Sequence, residues 1–227
     1  VIVHGRSMVS TVVEDIGLAP EQVHVIPLIA LTELSSAEPI SDDAQSILFF
    51  GRIWEYKGLE YLIRAAPRVL AEFPEAKFTI AGRGEDMQRY RELMHDPAAF
   101  VVLNDWISDL HRSQLFARCS MVVLPYIEAS QSGVTPIAYA YEKPVIVTRI
   151  GGLPDMVDHG KTGLLIPPRD VDALADAMLQ LLRDRTARIE MGRAGKRKLL
   201  QECAPPVVVS QTLDVYRQAI AGLQAIG

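Results

Sequence analysis

A doubly wound α/β fold built on a parallel sheet is predicted by three features of this 227-residue chain. Short apolar runs alternate with segments of helical apolar spacing almost from end to end, and strands separated by such helices pair in parallel through right-handed crossovers. The runs are apolar on consecutive residues, as strands buried on both faces are. Glycines follow the runs: Gly51, Gly82, Gly84 and Gly133 each stand just after a strand's carboxyl end, the edge where ligands bind in such sheets.

The front of the chain forms a unit of its own. "VIV", a helix over about Ser7 to Gly17, and "VHVIPL" make one βαβ unit. "TELSSAEPISDDAQ", polar with one proline, reads as a linker. Residues 1–44 are therefore assigned to the βαβ unit and linker, and residues 45–227 to the main sheet domain. The chain starts at Val1, inside an apolar run, which predicts a piece cut from something longer.

In the main domain "SILFF" (Ser46 to Phe50) is the first strand. "GLEYLIRAAPRVLAEF" places Leu59, Leu62, Ile63, Ala66, Val69, Leu70 and Phe73 at helical spacing, and Pro67 predicts a kink or break near Ala66. "AKFTIAG" is a strand, "EDMQRYRELM" a short charged helix, "AFVVL" a strand and "DLHRSQLFARC" a helix. "MVVLP" is a strand, followed by a loop, a helix ending near Tyr141, and the strands "PVIVT" and "TGLLIP". "DVDALADAMLQLLRD" is a helix with Val171, Leu174, Ala175, Met178, Leu181 and Leu182 on one face and Asp170 as its N-cap. Two further helical segments close the chain, with Pro205 and Pro206 between them.

Composition narrows the function classes. The net charge of -5 argues against a general nucleic-acid footprint, which would be strongly basic. No apolar run approaches the length that crosses a bilayer. Cys119 and Cys203 form neither a metal spacing nor a disulfide framework, so a reducing, cytoplasmic compartment is the default. His4, His24, His95, His111 and His159 are scattered and make no triad or metal set. Trp106, after a strand, reads as packing.

Four loops could do chemistry. In "FGRIWEYKG", Gly51 lets the chain turn after its strand, and Arg52 and Lys57 precede a helix. Two cations beside a helix N-terminus suit a diphosphate. Taken alone, the same two residues read as surface charge on a loop. "AGRGED" repeats the arrangement, with Gly82 and Gly84 around Arg83, and Glu85 and Asp86 beginning a helix. In "EASQSGVTPIAYA", Ser130, Gln131 and Ser132 supply donors and acceptors that fit sugar hydroxyls. Gly133, Val134 and Thr135 would offer backbone N–H groups at a helix start to a phosphate, with Gly133 a candidate for positive φ. "IGGLPDMV", with Gly151 and Gly152, is the fourth.

Order and spacing together carry more than any one loop. "FGRIWEYKGLEYLIRA", "AKFTIAGRGED", "MVVLPYIEASQSG" and "KPVIVTRIGGLPDMVDHGKTGLLIPPRDVDALADAM" resemble the carboxyl-terminal half of the family-4, group 1 retaining glycosyltransferases with the GT-B fold. The resemblance implies a Rossmann-like domain that holds a nucleotide-diphosphate sugar and transfers its hexosyl group to an acceptor with retention, as in polysaccharide biosynthesis. Arg52 and Lys57 match the pair that neutralises the donor diphosphate as it departs, without metal or other cofactor. Gly51, Gly82, Gly84, Glu128, Ser130, Gln131, Ser132, Gly133, Val134 and Thr135 fall in the stretches that hold the donor.

Glu128 matches the first of a pair of glutamates, one residue out of register counted back from "KPVIV". Pro136 and Ile137 stand where the second, the ribose contact, would be. The opening βαβ resembles the last unit of the family's amino-terminal domain, so that domain is an expected partner, and through it peripheral membrane association. The final helix would cross back to it through Val208, Leu213, Tyr216, Ile220 and Leu223. Two readings stand beside this one. A nucleotide-sugar epimerase of the same fold would need acid–base carboxylates and histidines flanking the sugar. A non-catalytic nucleotide-sugar-binding module would need only the donor face.

Overall fold

The computed structural model of the chain describes residues 1–30 and 45–224, the side chains of 223 and 224 excepted. Nearly all of the expected linker, the boundary at 44 and the Leu223 side chain lie outside the described residues.

The opening βαβ unit forms as its pattern dictates. β1 (Ile2–Val3) pairs in parallel with β2 (His24–Val25), joined by α1 (Ser7–Ile16). Both strands are two residues long, shorter than "VHVIPL" suggests. α1 stops at Gly17, whose φ of 72° is the left-handed cap conformation.

The main sheet has six strands: β3 (Ser46–Phe50), β4 (Lys77–Ala81), β5 (Phe100–Leu103), β6 (Met121–Leu124), β7 (Val145–Thr148) and β8 (Gly163–Ile166). Their order is β5-β4-β3-β6-β7-β8, and every pair is parallel. The chain enters at the centre, builds outward through β4 and β5, then returns to the other side of β3. The reversal between β3 and β6 is the topological switch point, which opens a crevice above the strand ends.

Helices cover both faces. Ile47 and Phe49 of β3 are fully buried in a cluster with α2 (Leu59–Glu72) and α7 (Val171–Arg183). Leu48, between them, faces a second cluster that includes Phe116 of α4 (Asp109–Arg118) and Tyr139 of α5 (Val134–Ala140). Alternation along one strand thus fills two cores, each such side chain worth about 1.5–3 kcal/mol of burial. The Asp170 carboxylate caps α7, accepting from the Ala173 N–H at 2.8 Å.

Three local expectations are corrected. α2 runs through Pro67 without a break. An interior proline costs about 3 kcal/mol, and the apolar face of Leu59, Leu62, Ile63, Ala66 and Val69, all buried, offsets that loss. The helix expected over 85–94 shrinks to α3 (Gln88–Arg91). Glu85 and Asp86 do not begin it, because the Glu85 N–H donates to the Ile53 carbonyl and the Asp86 carboxylate accepts from the Gln88 N–H. Pro205 and Pro206 open α9 (Pro205–Gln224), at a helix start where a missing N–H costs little. Between α8 (Arg185–Lys198) and α9 the chain makes a wide π turn over Leu199–Cys203.

Along α9 Val208 is buried, whereas Leu213, Tyr216 and Ile220 are exposed. A short helix, α6 (Leu153–Met156), follows β7. Among the described residues, no helix is long and apolar enough to cross a membrane.

Candidate functional site

Two loops meet above the switch point. The first leaves β3 through Gly51 and Arg52 and winds into a single 3₁₀ turn, Glu55–Lys57, before α2. The second leaves β6 at Pro125 and runs to the start of α5. They are joined by backbone: the Tyr56 carbonyl accepts from the Ile127 N–H at 2.7 Å and from the Glu128 N–H at 3.4 Å. Gly58, with φ 66°, is where they press closest. A β-carbon there would fall 1.9 Å from the Pro125 carbonyl oxygen, so only glycine fits.

The cations of the first loop carry no carboxylate. Among the described residues neither Arg52 nor Lys57 makes an ion pair. Glu55 and Glu85 are engaged elsewhere: Arg89 lies 3.8 Å from Glu55 and 3.2 Å from Glu85. Lys57 is half-buried, and its Nζ sits 3.6 Å above the centre of the Tyr126 ring and 5.0 Å from that of Tyr56. Burial first, and then the positive charge of Arg52, pull the Lys57 ammonium down to about 8. Arg52 itself is exposed. The site is a partly desolvated positive pair without a counter-ion, an arrangement suited to an anion.

The second loop holds its small polar residues in different ways. Glu128, Ser130 and Gly133 are exposed. Ser132 is buried, and its Oγ accepts from the Val134 N–H at 3.3 Å, turning the chain into α5. Thr135 is fully buried, and its Oγ1 has no hydrogen-bond partner among the described residues. The Gln131 amide reaches across to the βαβ unit and donates to the His4 carbonyl at 2.7 Å. Val134 is half-buried opposite Gly51, whose β-carbon would lie 3.7 Å from its methyl group. The fourth glycine loop backs this one, with the Gly152 N–H donating to the Ser130 carbonyl at 3.0 Å.

Gly133 has φ −71°, not the positive value expected, and a β-carbon on it would meet no protein atom within 4 Å. The turn made by Ser132 already aims the chain into α5, so no left-handed residue is needed.

Gly82 and Gly84 have a packing reason. Gly82 has φ 144°, and its β-carbon would fall 1.9 Å from the Gly51 carbonyl oxygen. Past it, Gly84 bridges Ile53, continuing the pairing of β3 and β4 beyond the sheet. Asn104, after β5, accepts from the Gly84 N–H and donates to the Glu85 carbonyl. This glycine pair therefore shapes the wall on which Arg52 stands.

Trp106 does not pack, contrary to expectation. It is 81% exposed, in the loop between edge strand β5 and α4. Tyr126 is the residue that sequence reasoning missed. Its signal is thin, a single aromatic after "MVVLP", and its contact with Lys57 links residues far apart in sequence.

Beside the loops, a cavity of about 520 Å³ separates the βαβ unit from the sheet domain. Gln131 and Thr135 line it, together with His4, Arg6 and Asp155, but Arg52 and Lys57 do not. Among the described residues, no group of three or more histidines, cysteines or acids could hold a metal ion.

The chain is similar to known proteins. The family described as "Glycosyl transferases group 1" matches residues 44–184. An uncharacterized glycosyltransferase of Methanocaldococcus jannaschii is 29% identical over 183 residues, covering 80% of this chain and 47% of the relative. The GDP-mannose-dependent alpha-(1-6)-phosphatidylinositol monomannoside mannosyltransferase of Mycobacterium tuberculosis is 29% identical over 190 residues, covering 76% of this chain and 47% of the relative. The chain thus spans about half the length of these relatives. The structure of Anabaena Alr3699/HepE in complex with UDP superposes on 97% of this chain and 63% of its own, with a TM-score of 0.78 and 20% identity, which speaks to fold. The match covers both cationic and small-polar loops and every strand of the six-stranded sheet, and on that extent this chain belongs to the group 1 glycosyltransferase family.

Proposed function

We propose that this chain is the donor-binding half of a retaining hexosyltransferase that uses a nucleotide-diphosphate sugar. One observation carries the reading: Arg52 and Lys57 stand together at the switch point without a carboxylate, one of them half-buried. A departing nucleoside diphosphate accumulates negative charge as the glycosidic bond breaks, and two fixed cations stabilise that charge. The reaction of this proposal therefore runs without a metal ion. Ser130 and the N–H groups from Gly133 to Thr135 would hold the sugar and β-phosphate. Gln131 and Ser132 act instead by placing the loop, because their side chains are engaged within the protein. Retention, and the assignment of the acceptor face and of any peripheral membrane contact to another half, follow from the resemblance. One relative's name specifies GDP-mannose and one structural neighbour carries UDP, so the base is left to a panel.

The test is calorimetry and thermal shift with UDP, GDP and ADP and their hexose conjugates, with and without EDTA. At least one nucleotide is expected to bind and to raise the melting temperature, EDTA making no difference. Arg52→Ala and Lys57→Ala are each expected to weaken it by about 1.5–3 kcal/mol, the range for hydrogen bonds to charged groups. Failure of every nucleotide to bind, or affinity unchanged in both folded variants, would overturn the proposal. The chain alone is expected to transfer little or no sugar; robust transfer to a defined acceptor would place both faces within these 227 residues.

A further inference from the structure

Lys57 raises a question that its diphosphate role leaves open: what keeps an ammonium charged in a half-buried site that lacks a carboxylate? The groups around it supply no negative charge to it. Arg52 is a like charge on the same loop, and it works against the ammonium. Glu55, on the same turn, and Glu85, after β4, are engaged with Arg89 of α3. Among the described residues Glu128 is tied in through its backbone N–H, on the Tyr56 carbonyl, and its carboxylate makes no ion pair. On this stretch and on α2 the other titratable neighbours are Tyr56, Glu60 and Tyr61; Glu60, in the first turn of α2, interacts with the Tyr61 hydroxyl and makes no ion pair with Lys57 among the described residues. What faces the ammonium closely is the Tyr126 ring, its centre 3.6 Å from Nζ. A cation over an aromatic face within about 6 Å is drawn to the ring's negative quadrupole, most strongly where water is excluded.

The ring is held rigidly. Tyr126 is 1% exposed, and its carbonyl accepts from the Thr148 hydroxyl at 2.7 Å, which pins it to the end of β7. On its other side Gly58 lies against Pro125. Its own hydroxyl has no hydrogen-bond partner of good geometry among the described residues. Burial pushes this phenol up to about 12, with the neighbouring Ser132 hydroxyl opposing the rise, so the ring stays neutral throughout the titration of Lys57.

We propose that Tyr126 is a positioning residue of this site: its ring face stands in for a counter-ion, holding the Lys57 ammonium charged and in place while leaving its N–H donors to an anion. A carboxylate in that position would neutralise the cation and compete with the diphosphate. A ring favours the charge without consuming the donors. The proposal rests on the donor reading for what the anion is, but not for the contact itself.

The experiment follows the Lys57 side chain by NMR of ¹³C-lysine-labelled protein through an alkaline titration. In the wild type the ε-methylene is expected upfield of the other lysines through the ring current. Tyr126→Leu keeps an apolar side chain but loses the ring and its quadrupole, so the Lys57 midpoint is expected to fall by about half a unit to one and a half units. Tyr126→Phe keeps the face and is expected to restore both the midpoint and the upfield shift. UDP and GDP affinities measured against pH are expected to fall off earlier in the Leu variant than in wild type or Phe. A purely structural tyrosine would lower the melting temperature without moving the midpoint. An unshifted ε-methylene in the wild type, an unmoved midpoint in Tyr126→Leu, or an equal displacement in Leu and Phe would each overturn the proposal. If no nucleotide binds the wild type, the donor reading fails, and the lysine titration still decides the role of Tyr126.

Discussion

Lys57 joins two properties that pull in opposite directions. Its folded value of about 8 lies below the 10.5 it has when free, so between those limits the unfolded chain holds more protons than the folded one. Stability contributed by this residue therefore rises as pH increases through that window, and at neutral pH the charged ammonium costs stability. Lys57→Met should raise the melting temperature at pH 7 while weakening diphosphate binding. A bound diphosphate favours the charged form, so binding above about pH 8 should take up a proton. Calorimetry at about pH 8.5 in two buffers of different ionisation enthalpy reads that uptake directly, and the uptake should vanish in Lys57→Met. Gly133 is the complementary case. With an ordinary φ and empty space at its β-carbon, valine there should cost stability no more than about 1 kcal/mol, as a poorer helix-start residue does. If the donor phosphate occupies that space, Gly133→Val should nevertheless lose donor binding by tenfold or more. Unchanged donor affinity in the folded variant would move the phosphate elsewhere.

At the scale of elements, the site is made where strand ends meet. β3 and β4 remain in contact past the sheet, through Gly82 against Gly51 and through the bridge from Ile53 to Gly84. Gly82→Ala would put a methyl group against a backbone carbonyl and force a left-handed φ on a residue that resists it. A loss of about 3 kcal/mol or more is expected, a value reserved for backbone strain and overpacking of this kind. Urea unfolding measures it, and a midpoint within experimental error of wild type would mean that the two strand ends separate easily. The helices were legible from spacing, down to the Asp170 cap, because amphipathic periodicity is a local property. α3 was not legible. The competing hydrogen bonds, from the Glu85 N–H to the Ile53 carbonyl in the loop after β3 and from the Gln88 N–H to the Asp86 carboxylate, involve a distant loop and a side chain, neither of which a helical pattern records.

For the molecule as a whole, one group of exposed apolar side chains lies toward each chain end. Val1 and Val25 are exposed in the two-stranded β1–β2 sheet, and Leu213, Tyr216 and Ile220 on α9. A two-stranded sheet is marginal alone, and unpaired edges and uncovered apolar faces invite association. The chain on its own is therefore expected to self-associate, seen as a concentration-dependent mass in sedimentation or light scattering. Leu213→Glu with Ile220→Glu should shift it toward monomer. A monomer at high concentration in the unmodified chain would show that these surfaces do not pair.

What the sequence by itself determined is the doubly wound sheet and the strand-end edge on which the loops of Arg52 and Lys57 lie. Each of these follows from period, length and order along the chain, which are local. Only the tertiary structure decided how the site is tuned. It removed Glu55 and Glu85 from the cations, set Lys57 on the Tyr126 ring, turned Gln131 toward His4, left Gly133 open, and exposed Trp106. Desolvation and the neighbouring charge of Arg52 bring Lys57 into a titratable range, and both depend on which loops the strand order brings side by side. That strand order reverses between β3 and β6, so the residues that tune the site lie about 70 positions apart along the chain and within one ring of each other in space.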